Sequence, residues 1–226
     1  MTEDRRLWPS EGFVFIVSYG RTGSTLLQTV LQSIPGYFIR GENWNTLYPL
    51  FRSHVLASHA RIHQGSKEIP PHGPWYGADQ IDLDRYGLAL ADLFIREILQ
   101  PPAGQRVIGF KEIRFGLAQG DEFNHFLDFI ARFFKPARFI FNTRNPEEVA
   151  VSSWWKDIER SQALQKIADV EARFRGYIES HPETCMHVPY ESFNGNPEGL
   201  RPMFNFLGEE FDLSVVERLM ERRLKH

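Results

Sequence analysis

The chain has a single cysteine, Cys185, so no disulfide can close within it, which fits a reducing compartment. It has no apolar run near the roughly 18 residues that a membrane-spanning helix requires. Its first twelve positions form a polar lead-in with charges where a signal peptide has its apolar core. These absences lead us to expect a cytoplasmic protein without a membrane span. An excess of positive charge is also missing: 26 Lys and Arg against 29 Asp and Glu leave a net charge of −3. A general nucleic-acid binder is thereby disfavoured, and any anion site has to be local. No repeat, low-complexity tract or linker divides the sequence. What is present is 42% hydrophobic residues, 19 of them Phe, in 226 positions. That is enough for one domain, 1–226, with an aromatic-rich core.

The most informative stretch is FVFIVSYGRTGSTLLQTVL, residues 13–31. Phe13 to Val17 is a short apolar run that reads as a buried strand. Ser18 to Thr25 is a turn rich in glycine and hydroxyls, and Leu26, Leu27, Val30 and Leu31 then recur at helical spacing. A strand, a glycine-containing turn and a helix aim backbone N–H groups and a helix N-terminus at an anion. Gly20 and Gly23 allow close backbone approach, Arg21 adds a cation, and Thr22, Ser24 and Thr25 add hydroxyls, so a phosphate or sulfate fits. The plainer alternative is a tight turn in which Thr22 or Ser24 caps the helix. The Gly-Lys-Ser/Thr of a nucleoside-triphosphate loop is absent, since Gly23 is followed by Ser24 and the cation precedes the glycine.

Further strands are expected at Tyr37–Arg40, Val107–Phe110, Arg138–Asn142 and Met186–Val188. Helices are expected over about 83–99, 121–134, from Asn145-Pro146 onward, over 161–179, and twice near the end. The alternation implies an α/β fold: a three-layer sandwich with a mostly parallel sheet of about five strands and helices on both faces. Residues 43–82 differ in texture, with Trp44, Tyr48, Phe51, Trp75, Tyr76 and four histidines (His54, His59, His63, His72) but little periodicity. They are expected to form an excursion over one end of the sheet that carries acceptor specificity. Ligands of parallel sheets sit beyond the carboxyl ends of the strands. That rule brings Gly20–Thr25, Glu42, Lys111 and Arg144 to one rim.

Residues 138–155, RFIFNTRNPEEVAVSSWW, hold the second cation. Ser152 follows Arg144 by eight residues, about two helical turns, so guanidinium and hydroxyl can share a face and grip a second phosphate. Alternatively Arg144 pairs with Glu147 or Glu148 and Ser152 is an ordinary helix residue. A nucleotide kinase would favour an acidic strand end to hold magnesium, and this strand ends in a cation. Trp154-Trp155 reads as core packing, with one ring free to line the site.

GRTGSTLL after a strand, with RNPEEVAVSSWW downstream, resembles the two nucleotide-binding signatures of sulfotransferases that use 3′-phosphoadenosine 5′-phosphosulfate (PAPS). Val188-Pro189-Tyr190-Glu191 and Met203–Gly208 are similar to later segments of that family, so the resemblance runs over about residues 13–212. It implies a P-loop-like fold in which Gly20, Arg21, Thr22, Gly23, Ser24 and Thr25 hold the 5′-phosphosulfate. Arg144 and Ser152 would hold the 3′-phosphate, and Tyr190 would lie near the adenine. Glu42, in a Gly-Glu pair about 17 residues past the loop, resembles the base of the glutamate-using, tyrosyl-protein branch. The cytosolic branch uses a histidine. Lys111 matches a lysine that stabilises the transferring sulfuryl group, with Arg21 beside it. The late glycine-rich basic segment of the cytosolic branch has no counterpart, which leaves completion of the 3′-phosphate site to residues such as Arg201.

The implied activity is sulfuryl transfer to a small-molecule or peptide hydroxyl, with no metal. A small-molecule kinase or a non-catalytic nucleotide-binding module are the alternatives. His59 and His63 stand four apart, but no third ligand accompanies them.

Overall fold

The computed structural model of the chain describes residues 7–223. β1 (Gly12–Ser18) lies at the centre of a five-stranded sheet. Its alternating side chains divide between two faces: Phe13, Phe15 and Val17 enter one core, Val14 and Ile16 the other. Being buried on both sides, it reads as an unbroken apolar run rather than an alternating one.

The other strands are β2 (Tyr37–Arg40), β3 (Val107–Glu112), β4 (Ala137–Thr143) and β5 (Cys185–Pro189). The order is β2-β3-β1-β4-β5 and every pairing is parallel. Register sets the rim. Ile16 lies opposite both Lys111 and Ile140, and Ser18 opposite Asn142, so β1, β3 and β4 end level with one another. Arg40 lies opposite Phe110, which brings Glu42, two residues on, alongside the Lys111–Glu112 end of β3.

Helices cover both faces. On the first are α2 (Leu47–His59), α3 (Leu83–Phe94), α4 (Asp121–Phe133) and α6 (Arg160–Ser180). They bring Phe51, Phe94, Phe126 and Phe174 onto the phenylalanines of β1, β3 and β4. On the second are α1 (Ser24–Gln32), α8 (Arg201–Leu207) and α9 (Leu213–Arg223), which pack Leu27, Val30, Met203 and Val216 against Val14 and Ile16. Two short helices, α5 (Pro146–Ala150) and α7 (Tyr190–Phe193), follow β4 and β5. The three-layer α/β sandwich expected from the alternation is thus present, its five strands all parallel.

Several local expectations are corrected. Residues 43–82, which show little periodicity in the sequence, contain a helix: α2 fills a third of them and packs on α3 and α4, with Leu47 and Phe51 buried. Pro49 obscures the apolar stripe, yet it sits in the first turn, where its missing N–H costs nothing. Neither Thr22 nor Ser24 caps α1; the N-cap is Gly23, at φ +80°, with no side-chain oxygen on the first turn. The helix after β4 stops at Ala150, so Ser152 is placed by the turn beyond it and not by two helical turns. Residues 7–12 are more than a polar lead-in, for Leu7 and Trp8 pack against the first core.

Candidate active site

The loop between β1 and α1 is tied from below. Thr22 is fully buried, and its Oγ1 lies 2.6 Å from Ser18 Oγ and donates to the Tyr19 carbonyl at 3.2 Å. Its hydroxyl therefore holds the loop together. Ser24 and Thr25 open α1 and, with Gly20, Arg21 and Gly23, line a cavity of about 220 Å³. Gly23 needs to be glycine on two counts: its φ of +80° and the Tyr190 ring, 2.4 Å from where a Cβ would stand. At Gly20 a Cβ would meet the Trp154 indole at 2.2 Å. Each glycine is roofed by an aromatic ring.

The same cavity is lined by Glu42, Lys111, Ile113, Arg144 and Trp154. Glu42 is gripped at both oxygens: Lys111 Nζ donates to Oε1 at 2.6 Å and Arg114 Nη1 to Oε2 at 2.9 Å. Partial burial pushes its carboxyl up, but the two cationic hydrogen bonds outweigh that and leave it below the ordinary carboxylate value. Lys111 is only 5% exposed on β3 and makes its ion pair with Glu42.

Glu112 does something else. Fully buried, it accepts the backbone N–H groups of Asn43 and Asn45 on Oε2, at 3.1 and 2.8 Å. Its Oε1 accepts those of Ile113 and Arg114, at 2.8 and 3.1 Å, and Arg114 Nη1 at 3.1 Å. One carboxylate thus fastens the turn after β2 to the end of β3 and aims Arg114 at Glu42. It also holds Trp44 and Asn45, two consecutive non-glycine residues at φ +59° and +55°, in the left-handed region.

Arg144 joins the cavity from the β4 side. Its Nη2 and Nε grip Glu148 at 2.5 and 3.0 Å, its Nη1 donates to the Arg21 carbonyl at 3.3 Å, and its guanidinium lies 4.5 Å from the Tyr190 ring centre. Arg21 Nε donates to Ser152 Oγ at 3.0 Å. The two arginines therefore converge on one space. Tyr19 braces this corner: its hydroxyl contacts Glu171 at 2.5 Å and accepts the Arg144 N–H at 3.1 Å, and burial pushes its pKa well up. Trp154 is 48% exposed and forms a wall of the site, while Trp155 Nε1 donates to the Gly20 carbonyl at 3.2 Å. Core packing describes neither ring fully.

Of the residues singled out from the sequence, Gly20, Arg21, Gly23, Ser24, Thr25, Glu42, Lys111 and Arg144 line the cavity. Thr22, Ser152 and Tyr190 lie behind that lining. None of His54, His59, His63 and His72 reaches it. His54 stacks among Tyr86, Phe129 and Phe133, where burial pushes its pKa down, and His59 packs on the His63 ring. Arg201 grips Glu198 at 2.7 and 2.8 Å, away from the site. Among the described residues no group of three or more His, Cys, Asp or Glu is arranged to hold a metal, and no helix is long and apolar enough to cross a membrane. Arg114, Glu112 and Tyr19 were not foreseen. The signal available for the first two was the charge cluster Lys111-Glu112-Ile113-Arg114 at a strand end, which has no solvent-facing alternation to account for it.

A parallel α/β sandwich with Arg21, Lys111, Arg114 and Arg144 gathered near the Glu42 carboxylate at the carboxyl edge of its central strands defines a protein of the α/β class with a cationic rim. Within that class the chain belongs to the sulfotransferase family, whose sequence model matches residues 14–212. Among solved structures it is similar to the sulfotransferase STF9 from Mycobacterium avium, at 14% identity and a TM-score of 0.53, over 96% of this chain and 69% of that one. A thymidylate kinase from Candida albicans (16% identity, TM-score 0.44, 87% and 94% covered) and the protein NadR in complex with NR (11%, 0.41, 90% and 53%) are more distant. No curated protein is significantly similar in sequence. Membership supports a sulfotransferase enzyme; at these identities the structural likeness speaks for the fold alone.

Proposed function

We propose that the protein transfers the sulfuryl group of PAPS to a hydroxyl acceptor, with Glu42 as general base. The observation that carries this reading is the convergence of Arg21, Lys111 and Arg144 with Glu42 on one 220 Å³ cavity at the mouth of the β1–α1 loop. The fit to an anionic donor is chemical. The first turn of α1 has no side-chain cap and no acid, and the nearest side chains are cationic. When bound, such a donor supplies an already activated sulfuryl group.

The residues divide the work by position. Arg21 and the N-terminus of α1 would bind the 5′-phosphosulfate end. Arg144, backed by Ser152 through Arg21, would bind the 3′-phosphate after letting go of Glu148. Tyr190, over Gly23 and beside Arg144, is also a wall of a second cavity of about 420 Å³ with Leu26, Pro197 and Met220, apolar enough to receive the adenine. Lys111 would neutralise charge on the sulfuryl oxygens. In turning toward them it would loosen its hold on Glu42, whose basicity then rises where an acceptor proton must be taken. The cytoplasm is the compartment this reading assumes, from the lone buried Cys185.

Calorimetric titration with adenosine 3′,5′-bisphosphate and with ATP tests the donor class. Tight binding of the first with none of the second is expected, and ATP binding with magnesium-dependent turnover would establish a kinase instead.

A further inference from the structure

Beside the donor cavity lies a larger one of about 690 Å³, sharing the wall formed by Gly20, Ile113 and Trp154. It opens between the segment after β3 and the outer side of α6. No residue of 43–82 contributes to it. Arg114 connects the two spaces, since it lines the larger one while donating to the Glu42 carboxylate. Glu42 lines the donor cavity on the other side of that shared wall.

The lining has two chemistries. Ile113, Leu117, Val170, Trp154 and Trp155 give apolar walls, two of them flat and wide enough to cover a ring. The charged groups are mostly cationic, Arg114, Lys166 and Arg173 against Asp169. Arg114 is already neutralised by Glu42 and Glu112. Arg173 is not: it donates to the Ala118 carbonyl at 2.7 Å and to the Asp169 carbonyl at 3.2 Å, with no carboxylate within 4.0 Å among the described residues. It is half-buried, and burial pushes its pKa down, an effect that the Asp169 carboxylate one turn back on α6 offsets only in part. Lys166 is a second cation on the same wall, exposed and with no ion pair among the described residues. The opposing carboxylate, Asp169, accepts from Gln165 at 2.7 Å. A cavity with ring-sized apolar walls and two cations that form no close ion pair among the described residues selects an occupant with a matching body and a negative group.

Resting on the sulfotransferase reading above, we propose that this cavity is the acceptor site and that the acceptor is an aryl or similarly flat hydroxyl compound carrying an anionic group. Arg173 and Lys166 receive the anion, and Trp154 and Trp155 cover the ring. The hydroxyl is directed over the shared wall to Glu42. Specificity then resides in residues 113–120 and on α6, and not in 43–82 as the sequence suggested.

The test is a calorimetric titration of the whole protein, with and without saturating adenosine 3′,5′-bisphosphate, using 4-hydroxyphenylacetate and its uncharged methyl ester as probes. The acid is expected to bind at least tenfold more tightly than the ester. That preference is expected to fall below about threefold in Lys166→Ala, which is exposed and carries no fold-bearing contact, and in Arg173→Gln. Both variants should keep wild-type affinity for the bisphosphate. Equal binding of acid and ester, a preference that survives both substitutions, or no binding of either probe at millimolar concentration overturns the assignment. Failure of the donor reading shows separately, as loss of bisphosphate binding in the wild type, and leaves the comparison of acid and ester on the free protein to judge the cavity.

Discussion

Arg21 Nε donates a hydrogen bond to Ser152 Oγ at 3.0 Å, across 131 positions of sequence. The contact joins the two cationic stretches that are furthest apart in the primary site, and it fixes the direction of a guanidinium whose own backbone stands at φ +76°. In Ser152→Ala that direction is lost while little packing changes, because the pair is exposed. The exposed bond itself adds only about 0.5 kcal/mol to folding, but misaiming the guanidinium removes a charge-assisted contact to the donor worth about 1.5 kcal/mol, so affinity for adenosine 3′,5′-bisphosphate should fall roughly tenfold. Calorimetry measures the loss, and a thermal melt should move by no more than about 2 °C. Unchanged affinity would mean that Arg21 is aimed by something else.

Arg144 is held by a residue that has to release it. Its pair with Glu148 is four residues along the chain and half-open to water, so the pair itself contributes only about 0.5 kcal/mol to stability. Its consequence is for binding, where a carboxylate already occupies the guanidinium that a phosphate would need. Glu148→Gln should therefore tighten bisphosphate binding by about threefold to tenfold, and Arg144→Ala should weaken it by tenfold or more. If both substitutions weaken it alike, Glu148 is acting as a support for Arg144 and not as its competitor.

The pH profile separates a glutamate base from a histidine. Glu42 has a carboxyl held below its ordinary value in the folded protein, so it stays ionised throughout the neutral range. The sign follows directly: any stability linked to this group is present above the unfolded carboxyl pKa and is lost as pH falls through the folded one. In the same way kcat/KM should stay flat on the acid side until pH falls below the ordinary carboxylate range, whereas a histidine base would bend it near 6.5. Lys111→Ala removes the cation on Oε1, and the acid limb should move upward. Glu42→Gln should lower kcat by about 10²–10⁴ and leave bisphosphate binding intact. An acid limb near 6.5 in the wild type would remove Glu42 from the role.

Much of the fold was legible because it rests on local periodicity. The apolar run of β1, the Pro146 start of α5 and the phenylalanine stripe of α4 each announce their element without help from the rest of the chain. Glu42, Lys111 and Arg144 were legible for a topological reason: parallel strands end at a common rim, so residues just past them meet. What remained hidden depends on tertiary partners. Ser152 was placed at the right corner for the wrong reason, since α5 is one turn shorter than its pattern suggests. Arg114 and Glu112 were passed over because a charge cluster usually means a solvated face. Here register and the fold of residues 43–45 bury one member completely.

That buried member yields the last expectation. In Glu112→Gln the side chain keeps its shape, but one oxygen becomes an amide nitrogen. Each oxygen accepts at least two N–H groups in the wild type, so the new donor faces donors on whichever side it is placed. Either the Asn43 and Asn45 amides or those of Ile113 and Arg114 are left buried without an acceptor. That should cost about 2–4 kcal/mol, and a melting temperature lower by roughly 5–15 °C. The loss should reach the site by a definite route. Arg114 loses its anchor, and the left-handed turn at Trp44 and Asn45 loses the carboxylate that holds it next to Glu42. Turnover should therefore fall in the fraction of protein that is still folded, below the melt, while bisphosphate affinity stays within about twofold because Arg21 and Arg144 are held elsewhere. A variant that melts early yet turns over at the wild-type rate when folded would show that Glu112 serves stability alone.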